Sequence, residues 1–169
     1  PILFYDTETT GLPLFDQPSS DPRQPHIVQL AASLVDQETR AIIASVDLIA
    51  QPADWFIPDT VTAIHGITTE HAARVGVPES LMVDVLLAMW RQCDFRVGHN
   101  ESFDARIVRI AMARFNHAEQ MDAFKEGQSF CTCTKATSIC KMPGKVGYKK
   151  PKLTEAYQHF IGRPMEGAH

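Results

Sequence analysis

Two carboxylates stand two residues apart in the stretch Ile2 to Leu12, ILFYDTETTGL, where Asp6 and Glu8 follow the strand-forming run Ile2, Leu3, Phe4 and Tyr5. Side chains alternate along an extended chain, so Asp6 and Glu8 share one face, with backbones about 6.6 Å apart at roughly 3.3 Å per residue. So placed, they can grip one cation between them. Without it they repel, and burying an unpaired carboxylate is costly, so the pair implies either open solvent or a metal. Hard oxygen donors favour Mg²⁺ or Mn²⁺ over zinc. Taken alone, the D-x-E tripeptide is most often a solvated strand end.

Asp104 is the second acidic anomaly. Ile107, Val108, Ala111 and Phe115 lie three, four, seven and eleven residues beyond it, so on a helix Asp104 shares their apolar face. Two readings stand: an ordinary first-turn aspartate held by the helix dipole, at about 0.3–1 kcal/mol, or a third metal-site carboxylate at the mouth of a sheet. Gly98-His99-Asn100 follows a strand end, where polar groups often meet ligands, and equally suits a satisfied turn. His169 closes the chain; an imidazole with an unperturbed pKa of about 6.5 can serve as a general base for water, and a terminal histidine is otherwise unremarkable.

The elements that must position these groups can be read in order. The first strand is expected to end at Tyr5, delivering Asp6 and Glu8 to an edge of the core. Pro13 to Pro25 reads as a surface loop. His26 to Asp36 and Ala41 to Gln51 suit two strands joined as a hairpin by Gln37 to Arg40, giving a three-stranded antiparallel unit with the first strand. Pro58 to Ile64 predicts a short helix ended by Gly66, and Thr68 or Thr69 caps another through Arg74. A longer helix opens at Pro78-Glu79-Ser80 and runs to about Gln92, with Leu81, Val85 and Met89 as its buried stripe. Asp94 to Gly98 reads as a strand, Ser102 or Phe103 to Phe115 as a helix, Ser129 to Thr134 as the last strand, and Lys135 to Lys141 and Thr154 to Ile161 as helices. Strands grouped first and alternating with helices later indicate an α/β domain with one mixed sheet.

A chain of 169 residues, 44% of them hydrophobic, suits one globular domain with a sizeable core. No apolar run approaches the roughly 20 residues that cross a bilayer, and no signal pattern opens the chain, so a soluble, cytoplasmic protein with no membrane partner is expected. A formal charge of −4 argues against holding nucleic acid by bulk electrostatics and leaves room for local basic patches and bound cations. Cys93, Cys131, Cys133 and Cys140 lack the spacing of a secreted disulfide framework and read as reduced thiols. A zinc site on the last three is the weaker alternative.

Together these residues resemble the DnaQ-like 3′–5′ exonucleases, the histidine-bearing (DEDDh) branch of the DEDD nucleases, which includes proofreading subunits of bacterial replicative polymerases. Asp6-Thr7-Glu8-Thr9-Thr10-Gly11-Leu12 is similar to the family's first motif and His99-Asn100-Glu101-Ser102-Phe103-Asp104 to its second. Ile64-His65-Gly66-Ile67-Thr68 resembles the segment lining the terminal-nucleotide pocket, and Tyr148-Lys149-Lys150-Pro151-Lys152-Leu153 also has family character. Glu166-Gly167-Ala168-His169 looks like the opening of the third motif, H-x4-D, whose aspartate falls beyond His169.

The resemblance implies an α/β, ribonuclease-H-like fold, a five-stranded mixed sheet flanked by helices, with residues 1–169 as a single exonuclease domain lacking its C-terminal helix. It implies two Mg²⁺ or Mn²⁺ ions and hydrolysis of the terminal phosphodiester of single-stranded or frayed DNA, releasing nucleoside 5′-monophosphates. Asp6, Glu8 and Asp104 are then the metal ligands and His169 the base. Thr7, Thr10, Gly11, Leu12, His65, Asn100 and Phe103 would contact the nucleotide, Leu12 and Phe103 by packing on bases. Phe103 also suits a hydrophobic staple ahead of its helix. Lys149, Lys150 and Lys152 would track the phosphate backbone, although a lysine run also suits plain solvation. RNA as substrate, a polymerase as partner and a non-catalytic binding relative are the alternatives left open.

Overall fold

The computed structural model describes residues 1–166. Five strands, β1 (Ile2–Thr9), β2 (Ile27–Val35), β3 (Ile42–Ile49), β4 (Phe95–Gly98) and β5 (Ser129–Cys131), form one sheet in the order β3-β2-β1-β4-β5. The pairs β1/β2 and β2/β3 are antiparallel, while β1/β4 and β4/β5 are parallel, as a hairpin unit followed by helical crossovers requires. The hairpin turn is set by Asp36, whose Oδ1 accepts from the N–H groups of Glu38 at 3.0 Å and Thr39 at 2.7 Å.

β1 runs four residues further than its apolar run suggests. Pairing with β2 continues through Thr7 with Leu30, Glu8 with Gln29 and Thr9 with Ile27. Backbone ladder bonds do not depend on side-chain polarity, and the buried threonines Thr7 and Thr9 keep the inward alternation of Leu3 and Tyr5 going. Asp6 and Glu8 therefore lie within the strand, on its outward face with Phe4, and not beyond its end.

The inward face is covered by α3 (Glu79–Trp90) and α4 (Glu101–Arg114). Leu3, Leu30 and Leu34 from the sheet meet Met82, Leu86 and Leu87 of α3 and Ile107, Val108 and Ala111 of α4 in a continuous core. On α3 the expected stripe holds only at Met89: Leu81 is exposed and Val85 only half-buried, while Met82, Val83, Leu86 and Leu87 face inward with Met89. That helix is apolar nearly all round, so spacing alone could not choose its face.

Two short helices, α1 (Asp59–His65) and α2 (Thr69–Val75), pack over a smaller cluster of Val28, Ile57, Ile67 and Ala72. Gly66 ends α1 at φ +77°, a left-handed conformation that glycine adopts without steric cost, and the Thr68 hydroxyl caps α2 by accepting from His71 N–H at 3.1 Å. A 3-10 turn (Ala118–Gln120) and α5 (Met121–Glu126), absent from the sequence reading, place Phe124 fully inside the core. β5 is shorter than expected because α6 (Thr132–Cys140) begins immediately after Cys131; α7 (Leu153–Ile161) is the last helix described. No helix of the described residues is long and apolar enough to cross a membrane.

Candidate active site

Asp6 and Glu8 project from the outward face of β1, opposite Ala31 and Gln29 of β2. Thr7 between them must point inward, and there it meets Asp104 in the first turn of α4. The Thr7 backbone N–H donates to Asp104 Oδ1 at 2.9 Å and the Thr7 hydroxyl donates to the same oxygen at 2.7 Å. Thr7 was expected to touch nucleotide; strand alternation instead buries it and commits its polar groups to holding a carboxylate.

Asp104 is 3% exposed. Burial is the largest influence on its carboxyl, raising its pKa to about 7; the negative charge of Asp6 adds to this, and the two Thr7 hydrogen bonds oppose it. The Asp6 charge thus acts beside a buried carboxyl, and the donors are hard carboxylate oxygens. A divalent cation fits that chemistry, with Asp6 and Glu8 as the pair best placed to hold it. Among the described residues, however, no group of three or more His, Cys, Asp and Glu side chains is gathered closely enough to hold a metal ion. Asp6 nonetheless lies near enough for its charge to act on the Asp104 carboxyl, and Thr7 ties Asp104 to the strand between Asp6 and Glu8.

The remaining expected residues fall into groups. Thr10 pairs with the start of β2: its N–H donates to His26 carbonyl at 3.1 Å and its Oγ1 accepts from His26 N–H at 3.0 Å. Gly11 has open space where a Cβ would stand, and Leu12 is 74% exposed. His65 is buried at the end of α1, with Nδ1 accepting from Ile67 N–H at 3.1 Å. Asn100 precedes α4 at φ +70°, a left-handed conformation asparagine tolerates better than most residues, and its side chain makes no capping bond. Phe103 lies inside α4, not before it, half-buried against the main core. His169 lies outside the described residues.

The basic segment is anchored at Pro151. His99 Nε2 donates to the Pro151 carbonyl at 2.9 Å, and His99 Nδ1 lies 2.9 Å from Thr132 Oγ1. This holds Lys149, Lys150 and Lys152, all exposed, beside the end of β4. Lys149 Nζ is paired with Glu155 Oε1 at 2.6 Å.

Beneath the site lies a network the sequence reading missed. Glu101 Oε1 accepts from the Tyr5 hydroxyl at 2.8 Å and from Arg96 Nε at 3.0 Å, and Arg96 stacks 4.1 Å from the centre of the Phe124 ring and donates to the Phe124 carbonyl. Burial and the neighbouring Glu101 carboxylate push the Tyr5 phenol well above its ordinary range. The available signal was Arg96 itself, a cation inside the short apolar strand FRVG.

The fold and this arrangement are those of a nuclease domain. The chain belongs to the exonuclease family RNase_T, whose model matches residues 3–160. Among solved structures it is similar to E. coli exonuclease I in complex with a dA16 oligonucleotide, at TM-score 0.73 and 19% identity over 99% of this chain and 37% of that one. E. coli exonuclease I with a 5cy-dT13 oligonucleotide gives TM-score 0.76 at 17% identity with the same coverages. The zinc-bound E. coli exonuclease I–ssDNA complex gives 0.70 at 20% identity over 93% of this chain and 34% of that one. The expected ribonuclease-H-like fold is thereby shown. This chain spans little more than a third of the exonuclease I chain. No curated protein sequence matches it at a significant level.

Proposed function

We propose that this domain is a divalent-metal-dependent 3′–5′ exonuclease that hydrolyses the terminal phosphodiester of single-stranded or frayed DNA and releases nucleoside 5′-monophosphates. The observation that carries the reading is the fastening of buried Asp104 to Thr7, between the outward carboxylates Asp6 and Glu8, in a chain of the exonuclease family. Asp6 and Glu8 would hold two Mg²⁺ or Mn²⁺ ions, with Asp104 as supporting carboxylate. When bound, such ions activate the attacking water and neutralise charge on the leaving 3′-oxygen.

The chain's own residues do the rest. Thr7 holds Asp104 in one orientation. The open backbone at Gly11 and the exposed Leu12 leave room for a terminal base, and Asn100, with no capping duty, presents its amide beside the start of α4. His65 adds a contact from the end of α1. Lys150 and Lys152 neutralise phosphates further along the strand, and His169 takes the proton of the attacking water.

The test is degradation of 3′-labelled single-stranded DNA, frayed duplex and RNA, each with Mg²⁺ and with EDTA. Mononucleotide release from DNA that EDTA stops, and that Asp6→Ala and Asp104→Asn abolish in folded protein, is the expected outcome. Preference for RNA would move the substrate assignment. Turnover retained in both variants would remove the carboxylates from the mechanism.

A further inference from the structure

The loop from Gly11 to Pro25 wears its polarity inside out. Water normally drives a phenyl ring inward and leaves glutamine and serine outside. Here Gln24 is 2% exposed and Ser19 7%, whereas Leu12 is 74% and Phe15 72% exposed. A single exposed apolar side chain is ordinary and calls for no explanation. Burying the polar residues of a loop while displaying its largest apolar ones is a different matter, because the buried amide must be satisfied bond by bond.

Gln24 is satisfied in this way. Its Oε1 accepts from Leu14 N–H at 3.0 Å, and its Nε2 donates to the carbonyls of Leu14 and Pro18, each at 3.0 Å. Arg106, two residues beyond Asp104, donates through Nη2 to the Gln17 carbonyl at 2.6 Å, and Arg114 donates to the Gln24 carbonyl at 2.8 Å. The loop is therefore clamped from within at Leu14, next to Phe15, and fastened to α4 beyond Phe15 at Gln17 and Gln24. Its ends are fixed as well, one leaving β1 just past Glu8 and the other re-entering at His26, which pairs with Thr10.

Phe15 thus stands exposed on a clamped loop whose first end leaves β1 just past Glu8. Three residues of chain place it within about 11 Å of Leu12. Resting on the nuclease reading above, we infer that Phe15 stacks on an unpaired base upstream of the 3′-terminal nucleotide, extending the binding track from Leu12 over the clamped loop. A flat ring on a pre-ordered loop suits this occupant: every base offers a π-face, so stacking tolerates any sequence, and little freedom is lost on binding. Base-paired DNA hides those faces in its own stack, so the contact favours single strands.

Binding of a fluorescent oligothymidylate of phosphorothioate linkage, in Mg²⁺, is compared with binding of the corresponding dinucleotide. Phe15→Ala should weaken the longer strand about tenfold and leave the dinucleotide unchanged, with Phe15→Tyr close to the parent. Ile42→Ala, which trims an equally exposed apolar residue on the outer strand β3, should change neither. Phe15→Trp should show indole fluorescence quenched by the longer strand alone. Equal affinities for parent and Phe15→Ala, or equal losses on both ligands, would overturn the inference while leaving the nuclease reading intact. A parent that binds neither ligand defeats both.

Discussion

Asp104 Oδ1 receives two hydrogen bonds from one residue, the backbone N–H of Thr7 at 2.9 Å and its hydroxyl at 2.7 Å, so the first turn of α4 is fastened to β1 between Asp6 and Glu8. Thr7→Val keeps the branched shape and the backbone bond but deletes the hydroxyl. A hydrogen bond to a neutral carboxyl contributes about 0.5–1.5 kcal/mol and one to an ionised carboxylate about 1.5–3 kcal/mol, so urea unfolding should show a loss that grows as pH rises through 7. Because Thr7 is buried, kcat should fall with KM little changed, and Thr7→Ser should restore most of both. A raised KM with stability intact would instead make Thr7 a nucleotide contact.

The metal-free protein should be less stable at neutral than at acid pH because of Asp104. Its folded pKa of about 7 lies above the ordinary aspartate value of 3.8 that holds in the unfolded chain, burial being the main cause. Between these values the folded state retains a proton that the unfolded state has lost, so stability falls as pH rises from about 4 towards 7. Thermal unfolding in EDTA, followed across that window, should show this slope in the parent and its loss in Asp104→Asn. Mg²⁺ should reduce it in the parent, since a bound cation favours the ionised carboxylate. Identical slopes in parent and Asp104→Asn would mean that Asp104 is not the titrating group.

The sequence made β1, its hairpin partners and the inward turn of Asp104 readable, because each rests on local periodicity. The choice of buried face on α3 was not readable: with apolar residues nearly all round, Leu81 and Met82 were equally good candidates until α4 and the sheet took one side. α5 was invisible for the opposite reason, since Phe124 lies among polar residues and becomes core only by meeting Trp90 and Tyr5. At the site, Asp6 and Glu8 were legible as a same-face pair. Thr7, expected at the nucleotide, is buried and bonded to Asp104, a tie that local spacing does not show. Glu101 was passed over because its partners Tyr5 and Arg96 come from two strands packed against its helix, and such a network leaves no mark on local spacing.

That network has its own test. The side chains of Arg96 and Glu101 are only 1% and 7% exposed, so removing one charge strands the other in the interior. Glu101→Gln should cost about 3–5 kcal/mol, the usual penalty for breaking a buried pair from one side. Tyr5→Phe removes one neutral donor to that charged carboxylate and should cost less, about 1.5–3 kcal/mol. In the double variant the losses should sum to less than their parts, since the same carboxylate serves both. Full additivity in urea unfolding would show that the hydroxyl and the guanidinium act independently.

The lysines of the segment anchored at Pro151 should be distinguishable by salt. Each phosphate neutralised on a single strand contributes about 0.7 to the slope of log affinity against log salt. Lys149 is already neutralised by Glu155 at 2.6 Å, whereas no ion pair engages Lys150 or Lys152 among the described residues. Lys150→Ala and Lys152→Ala should therefore each flatten the slope by about 0.7, and Lys149→Ala by less. Glu155→Gln should steepen it, because it releases the Lys149 ammonium for phosphate. Slopes unchanged in all four variants, measured by titrating salt against oligonucleotide binding, would place the strand away from this segment and leave its lysines as solvated surface.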